Sequence, residues 1–361
     1  MRTPRAALPL FALALLLSAA AFAQEAQPTP PPFGEEVEVT EVVLDVLVTD
    51  RDGNVIVGLR PEDFVVEEGG RPVPLLDVSF YSNRPQLDDE GRPLRAAGSE
   101  RYFVLFFHDQ RAIHTDVPGL LGRQLEAGRR AGEWLTSLQL DDWVAVVSYD
   151  TSLQVQQDFT RDREALGKAI ADAARGGRAR GNWQSRLPPE GQPSLLRNLP
   201  RGRALLRASD TVYEALEAVA NASEVLVGRK NLILFSTGFG RVNTFNQYEP
   251  ENRYYEPMVS ALNDANVAVY SLDLAPTAVQ IPFADALSAL SNDTGGRYFD
   301  NVVNFASPLE QTAQEASGYY LLAYQAPHPR GRSGFQPVKV TVSNPEFRVK
   351  ARSGYRYGDG D

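Results

Sequence analysis

Two rhythms of apolar and polar residues divide the chain. Residues 35–83 alternate in steps of two, as in "VEVTEVVLDVLVT", with breaks at 52–54 ("DGN") and 69–70 ("GG"). Successive side chains of a β-strand point to opposite faces, so this segment predicts about four strands, two hairpins and no helix. The alternation returns in residues 318–357. Neither set is large enough to bury a core alone, so we expect both to form one β-sandwich.

Residues 100–317 follow a different rhythm. Continuous apolar stretches such as "YFVLFF" and "NLILFS" alternate with amphipathic helical stretches. This order predicts a mostly parallel sheet covered by helices on both faces. "LQVQQDF" follows its predecessor too closely for a crossover, so we expect an antiparallel edge strand there. The predicted fold class is α/β: a doubly wound, mostly parallel Rossmann-like sheet flanked by a β-sandwich formed from the N- and C-terminal strands.

The remaining segments complete the predicted domain plan. Residues 1–23 combine two arginines, an apolar stretch and the ending "AFA", which predict a signal peptide and export to the periplasm, the cell surface or the medium. Their apolar core is short for the alternative, a membrane anchor. Residues 24–34 predict a Pro-rich spacer and residues 84–99 a polar linker. We expect no transmembrane segment in the mature chain.

Composition limits the chemistry. The chain has no cysteine, which excludes disulfides, thiolate metal sites and cysteine nucleophiles. Loss of the two arginines in residues 1–23 takes the formal charge from −10 to −12, and an acidic surface argues against nucleic acid as a general partner. We expect no enzyme, because no Gly-x-Ser-x-Gly, phosphate-loop or His-Glu-x-x-His motif occurs. "STGFGRVN" lacks the third glycine of a dinucleotide loop and predicts a flexible strand-end loop.

Several segments resemble the von Willebrand factor A (vWA) domain, and specifically the acidobacterial-type vWA-related group of exported bacterial proteins. They are "VTEVVLDVLVTDRDGNVIVGLRPEDFVVEEGG", "FVLFFHD", "LDDWVAVVSYDTSLQVQQDFTRDREALGKAI", "GGRYF" and "GYYLLAYQAP". The resemblance covers nearly all of the mature chain. It implies a vWA-like fold and the binding of a ligand or partner instead of catalysis.

The resemblance also implies a Mg²⁺ or Ca²⁺ site at the carboxyl edge of the sheet. Its pattern is Asp-x-Ser-x-Ser after the first strand, a Thr in a later loop and an Asp after the fourth strand. Asp109 matches the first acid, but Arg111 and Ile113 replace the serines, and Thr237 stands where the later acid belongs. One carboxylate near a guanidinium is a poor site for a divalent cation. We expect a degenerate site without a cofactor; the alternative is a Mg²⁺- or Ca²⁺-dependent adhesion site rebuilt from Asp109, Ser236, Thr237 and waters.

The stretch "HDQRAIHTD" also contains ligand types that suit a transition metal, His108, Asp109, His114 and Asp116. A strand-to-helix loop gives these residues no fixed geometry. Asp116 is better explained as a residue of the first helical turn, where the helix dipole favours its negative charge and where it shares the capping of the helix with Thr115.

An arginine-rich insertion at 175–207 is the most unusual stretch. It holds eight arginines and one acid, so it carries +7 while the rest of the mature chain carries −19. It is either a disordered, solvated insertion or a mobile arm near the carboxyl edge of the sheet that binds an acidic partner.

The leading hypothesis is an exported, non-enzymatic interaction or adhesion module that binds an envelope protein or an anionic polymer. An unrecognised hydrolase is a further alternative. The expected partner-binding residues are Arg111, Arg178, Arg180, Trp183 and Arg186.

Overall fold

The computed structural model describes residues 37–82, 86–87, 93–94, 100–110, 116–179, 186–245, 247–275, 283–329 and 332–358. The predicted signal peptide, the Pro-rich spacer and most of the predicted linker lie outside these residues. So do Arg111, Ile113, His114, Arg180 and Trp183.

Strands and helices occupy most of the described chain. The strands are β1 (Val37–Thr49), β2 (Phe64–Glu68), β3 (Arg71–Val73), β4 (Leu75–Ser82), β5 (Gln86–Leu87), β6 (Pro93–Leu94), β7 (Tyr102–His108), β8 (Trp143–Tyr149), β9 (Leu153–Thr160), β10 (Lys230–Ser236), β11 (Arg241–Val242), β12 (Tyr248–Glu249), β13 (Val267–Asp273), β14 (Arg297–Phe299), β15 (Gly318–Pro329), β16 (Gly334–Val342), β17 (Arg348–Lys350) and β18 (Gly354–Tyr357). The helices are α1 (Val117–Trp134), α2 (Arg163–Ala174), α3 (Arg203–Arg207), α4 (Val212–Ser223), α5 (Asn252–Asp264), α6 (Ala284–Asp293) and α7 (Ala306–Glu315). Among the described residues, no helix has the length and apolar character needed to span a membrane.

A six-stranded sheet forms the centre of the α/β part, in the order β14-β13-β10-β7-β8-β9. Its strands are parallel except β9, which pairs antiparallel with β8 at the edge, as the sequence predicted. Each face carries its own apolar core, one including Leu216 of α4 and Met258 of α5, the other Leu120 of α1 and Leu309 of α7. The doubly wound α/β fold class is therefore confirmed.

Two four-stranded sheets form the β-sandwich, in the orders β17-β1-β15-β4 and β18-β16-β2-β3. Alternate residues of β1 and β15, among them Leu44 and Leu322, are buried between the two sheets, as the period of two requires. Both flanks of the chain supply strands to both sheets. Strand β1 pairs with β15, and β2 pairs with β16. The predicted sandwich of N- and C-terminal strands is confirmed.

The first of the two predicted hairpins is present only in short form, with the main-chain hydrogen bonds Asp50 N to Asn54 O and Ile56 N to Val48 O across its turn. The "GG" turn joins β2 to β3 as expected. At "DGN", in contrast, the Asp50 carboxylate accepts hydrogen bonds from the backbone N–H groups of Asp52 and Asn54, and only one bridge, Thr49 to Val55, follows. The chain then leaves the sheet. A side-chain-capped turn satisfied the local backbone without a second strand.

Two thirds of the arginine-rich insertion, residues 186–207, is part of the fold, so both predictions for these residues, a solvated insertion and a mobile arm, are wrong. Leu195, Leu196 and Leu199 are buried in the same core as Leu216. The Asp158 carboxylate of β9 accepts hydrogen bonds from Ser194 Oγ and from the backbone N–H groups of Leu195 and Leu196. The high arginine content obscured three leucines that provide enough apolar surface to hold this segment on the sheet.

Candidate functional site

The carboxyl ends of β7 and β10 lie side by side in the sheet. The two strands are parallel and adjacent, with Phe107 paired to Phe235. The residues that follow, His108 to Gln110 on one strand and Ser236 to Gly238 on the other, are therefore placed at one edge of the sheet. In open α/β sheets this edge is where ligands bind. The structure thus brings Asp109, Ser236 and Thr237 to one place.

The side chain of Gln110 occupies the space between these strand ends. Its Oε1 accepts hydrogen bonds from Thr237 N at 2.8 Å, Thr237 Oγ1 at 2.9 Å and Ser236 Oγ at 3.2 Å. Its Nε2 donates to Gly238 O at 2.6 Å. Gln110, Ser236, Thr237 and Gly238 are all buried. Both hydroxyls that a rebuilt metal site would need are therefore bound to an amide oxygen.

His108 contacts Ser236, one of the residues that bind the Gln110 amide. Its Nδ1 is 2.9 Å from Ser236 Oγ, and its ring packs near Tyr149 and Phe239. Burial lowers the pKa of His108 to about 4, although the neighbouring Asp109 carboxylate opposes the shift. A serine beside a neutral histidine resembles a nucleophile and its base. Ser236, however, is fully buried and also accepts a hydrogen bond from Gly238 N.

Few of the described side chains at this edge could coordinate a divalent cation. The Asp109 backbone N–H donates to Tyr149 O at 2.7 Å, and the residue as a whole is only 9% exposed. Within the described ranges, no three acidic or histidine side chains are grouped as metal ligands would be. A hard cation prefers six or more oxygen ligands with carboxylates among them. The donor set around Gln110 does not fit one.

Asp150, which follows β8, lies beside this site and is influenced by the charge of Arg178. Burial acts to raise the pKa of Asp150, but the backbone N–H groups of Thr151 and Ser152 and the charge of Arg178 hold it below its usual value. Arg178 is exposed and follows α2. Arg186 has a different environment, because its guanidinium donates to the carbonyl oxygens of Val155 and Gln156 on β9. Only Arg178 of the two presents an exposed side chain.

The loop after β10 contains a short hairpin of β11 and β12, and its flexibility stays a prediction. Asn243 Oδ1 accepts hydrogen bonds from the backbone N–H groups of Phe245 and Gln247 and fixes the turn. Phe245 lies at its tip and is 81% exposed. At the base of the hairpin, Gly238 has φ +102°, and a Cβ there would meet the Phe283 carbonyl oxygen at 2.1 Å. This glycine serves close backbone packing.

Sequence reasoning missed three features of the site: the amide of Gln110, the burial of His108 and the hairpin that carries Phe245. Gln110 and His108 both lie in the stretch "FHDQRAIH". The position of Gln110 is not one of the metal ligands in the family pattern, so nothing in the sequence marked its amide as important. The hairpin had a signal, since Asn243 and Asn246, residues typical of turns, flank Thr244 and Phe245. Asp116 is the N-cap of α1, with its carboxylate accepting from Gly119 N, which confirms its predicted role.

Comparisons with known proteins give only distant likenesses. No protein-family model matches the chain, and no curated protein matches it. The solved structures that are similar to it include BatB from Bacteroides thetaiotaomicron, with 13% identity, TM-score 0.38 and coverage of 60% of this chain and 97% of that chain. The vWF domain of the type V pili tip protein Mfa5 from Porphyromonas gingivalis has 13% identity, TM-score 0.36 and coverage of 59% and 94%.

Proximal thread matrix protein 1 from the mussel byssus is a third similar structure, with 12% identity and TM-score 0.37 over 60% of this chain. The match spans 48% of the length of that protein. Likenesses of this size carry no argument about function, and the fold class stands on the strand order and helix placement described above. The narrower assignment to the exported acidobacterial-type group stays a prediction from the sequence.

Proposed function

We propose that this protein is an exported, non-enzymatic interaction module that binds a protein or an anionic polymer through the carboxyl edge of its α/β sheet. The observation that carries the proposal is Phe245, a large apolar side chain held almost fully exposed at the tip of a short hairpin. Exposed aromatic residues on rigid supports are frequent anchors of protein interfaces. Val303 is 85% exposed in the loop after β14, at the same edge of the sheet.

The cationic side chain of Arg178 supports an acidic or anionic partner. It is exposed at the same edge, beside Asp150, in the first part of the +7 insertion. We extend this role to Arg111, Arg180 and Trp183 as a proposal, since these residues lie outside the described part of the chain. Arg186 contributes indirectly, by holding the insertion on β9 through two main-chain carbonyls.

We infer further that the metal site is degenerate and that partner binding needs no divalent cation. Support comes from Gln110, which takes the hydroxyls of Ser236 and Thr237 in hydrogen bonds. The hydrolase alternative is disfavoured by the burial of Ser236, because a nucleophile must reach its substrate. The rebuilt Mg²⁺ or Ca²⁺ site remains the alternative that a titration distinguishes.

The experiment is affinity capture from the native cell envelope in EDTA and in millimolar Mg²⁺, with wild type and a Phe245→Ala, Arg178→Ser double variant. We expect a specific partner that wild type captures in both buffers and the double variant loses. Leu140→Ala is the matched control, because Leu140 is 89% exposed just before β8, at the opposite edge of the sheet. A partner captured equally by wild type and the double variant would disprove the assignment of this edge, and capture in Mg²⁺ alone would favour the rebuilt metal site.

A further inference from the structure

The first strand of the β-sandwich has an open edge. Residues 37–46 of β1 pair with β15 on one side, whereas β17 covers only residues 47–49 on the other side. Within the described chain, no strand pairs with this second side of residues 37–46. A strand edge of this kind presents a row of main-chain N–H and C=O groups with which another extended chain can pair. We call residues 37–43 the β1 edge.

Two hydrogen bonds show which main-chain groups face the open side. Val48 O accepts a backbone hydrogen bond on the side away from β17. Val43 O accepts from the Arg352 guanidinium at 2.9 Å on the opposite side, where a side chain takes the place of a strand. Main-chain groups alternate between the two sides of an antiparallel strand. The N–H and C=O groups of Val39 and Glu41 therefore face the open side, as those of Val43 do.

The β1 edge is accessible to a ligand. Val39 is 57% and Val43 44% exposed, and Glu41 between them is exposed as well. The alternate residues Val42 and Leu44 are buried in the core of the sandwich. An added strand would therefore lie beside two exposed valines on its outer face and beside the rim of the sandwich core on its inner face.

The other edge strands of the three large sheets are short, interrupted or covered. β3, β14 and β17 have three residues each and β18 has four, and β3 contains Pro72. The pairing of β4 with β15 has a register shift, and Arg186 of the insertion donates to two main-chain carbonyls of β9. Such features prevent unwanted strand pairing. Residues 37–46, in contrast, pair with β15 without a register shift and contain no proline, glycine or lysine.

Only an extended chain matches a row of main-chain groups, and two candidates for it fit poorly. A second copy of β1 would bring its own Glu41 and Asp45 to an edge that already carries both acids, and like charges repel. Residues 24–34 of this chain contain four prolines, which have no N–H to donate to a neighbouring strand. A segment of another protein fits this edge better than either.

We propose that the β1 edge binds an extended segment of a partner protein, which pairs with residues 37–43 as an additional strand in line with β17. The segment alternates β-branched and polar residues, contains no proline and has no acid opposite Glu41. Main-chain hydrogen bonds supply the affinity, and the valine side chains supply the preference for apolar neighbours. This strand-addition site lies on the β-sandwich and is independent of the function proposed for the carboxyl edge of the α/β sheet.

The test uses a labelled peptide, acetyl-Lys-Val-Thr-Val-Thr-Val-Lys-amide, and measures its binding to the full-length protein by fluorescence anisotropy. Two further peptides carry backbone N-methyl groups either on all valines or on both threonines. Only one of these two sets of main-chain groups can face β1, because the groups alternate along a strand. We expect one N-methylated peptide to keep its affinity and the other to lose at least about tenfold, since it loses several hydrogen bonds.

A pair of protein variants tests the other side of the contact. Val39→Pro removes an outward N–H and should weaken binding of the unmethylated peptide about tenfold. Its urea unfolding midpoint should stay close to that of wild type, since this N–H faces no strand in the free protein. Val39→Ala is the matched control, because it shortens the same side chain and keeps the N–H, and it should weaken binding by no more than about threefold.

Several outcomes would overturn the proposal. They are no binding of the unmethylated peptide, equal affinities of the two N-methylated peptides, and equal losses in Val39→Pro and Val39→Ala. The N-methylated peptides decide even if Val39→Pro does not fold. Binding that appears only after deletion of residues 24–36 would assign the edge to this chain's own N-terminal segment. A dimer that the peptide dissociates, detected by sedimentation, would assign it to a second copy, and either result also contradicts a partner protein.

Discussion

The carboxylate of Asp158 on β9 accepts a hydrogen bond from the backbone N–H of Leu195, with 2.7 Å between Oδ1 and N. This contact joins the edge strand of the sheet to the middle of the arginine-rich insertion. Ser194 Oγ and Leu196 N bind the other oxygen of the same carboxylate. A charge-rich segment is thereby held in a defined position, with three of its leucines packed on the sheet.

Replacing Asp158 by Asn should therefore destabilise the protein. Asp158 is 3% exposed. In the variant, the amide NH₂ would face Ser194 Oγ and the Leu196 N–H, two donors whose hydrogen bonds Oδ2 now accepts. We expect a loss of about 2 kcal/mol in the free energy of unfolding, measured by urea titration, because buried donors are left unpaired. Faster proteolysis between residues 186 and 207 should accompany it. The exposed Asp141→Asn is the control, and equal stability of the two variants would contradict the anchoring role.

His108 should make the protein less stable as the pH falls. Burial lowers the pKa of His108 to about 4 in the folded state, compared with about 6.5 in the unfolded chain. Between pH 6.5 and pH 4, the unfolded chain therefore binds a proton at this residue that the folded protein does not bind. The contribution is fully present above pH 6.5 and falls by up to about 3 kcal/mol as the pH approaches 4. In His108→Asn, which keeps a polar atom near Ser236, the free energy of unfolding should fall less over this range. Parallel pH profiles for the two proteins would refute the buried neutral histidine.

Three substitutions should convert the carboxyl edge into a metal site if its degeneracy is correctly interpreted. Arg111→Ser, Ile113→Ser and Thr237→Asp together restore, around Asp109, every oxygen ligand of the family pattern except the Thr of a later loop. This variant should gain melting temperature in millimolar Mg²⁺, because a cation that binds only the folded state stabilises it, while wild type should not respond. Adding Asp109→Ala to the triple variant is the control and should abolish the gain. A clear rise for wild type would instead support the rebuilt site.

Glu315 should be essential for the stability of the connection between the two parts of the molecule. It is fully buried, and its carboxylate binds Arg297 of β14 at 2.6 Å and Lys350 of β17 at 2.7 Å. Glu315→Gln leaves two cations in a poorly solvated place and should cost about 3 kcal/mol in urea unfolding. Glu164→Gln is the matched control, since it breaks an exposed pair with Lys168 and should cost less than about 0.5 kcal/mol. Similar losses for both variants would show that Glu315 has no special role.

The fold was largely predictable because its elements follow simple periodicities. The buried strand "YFVLFF" and the alternating strands of both flanks each carry one pattern, and burial of the apolar face leaves few other arrangements. The insertion was not predictable from composition, since eight arginines, five glycines and four prolines outweigh six leucines in any average over residues 175–207. Only the spacing of Leu195, Leu196 and Leu199 indicated a packed segment.

The position of the site could be predicted from the sequence, but the interactions of its side chains could not. Parallel strands bring Asp109 and Thr237 to one edge whatever their side chains do, so the location follows from topology. The hydrogen bonds of Gln110 depend instead on rotamers and on the distance between two strand ends, which no sequence pattern encodes. The exposed position of Phe245 likewise depends on a two-strand hairpin formed by only four residues.

The pairing of β1 with β15 has a consequence for the order of assembly. A chain synthesised from its N-terminus presents β1 long before its partner strand exists, while the α/β part between them can already fold on local contacts. During that interval β1 is a lone apolar strand with open edges, the kind of segment that joins with copies of itself. Glu41 and Asp45 interrupt its apolar sequence with negative charge, and like charges on neighbouring chains repel. These two carboxylates on β1 are therefore expected to disfavour self-association of the nascent chain.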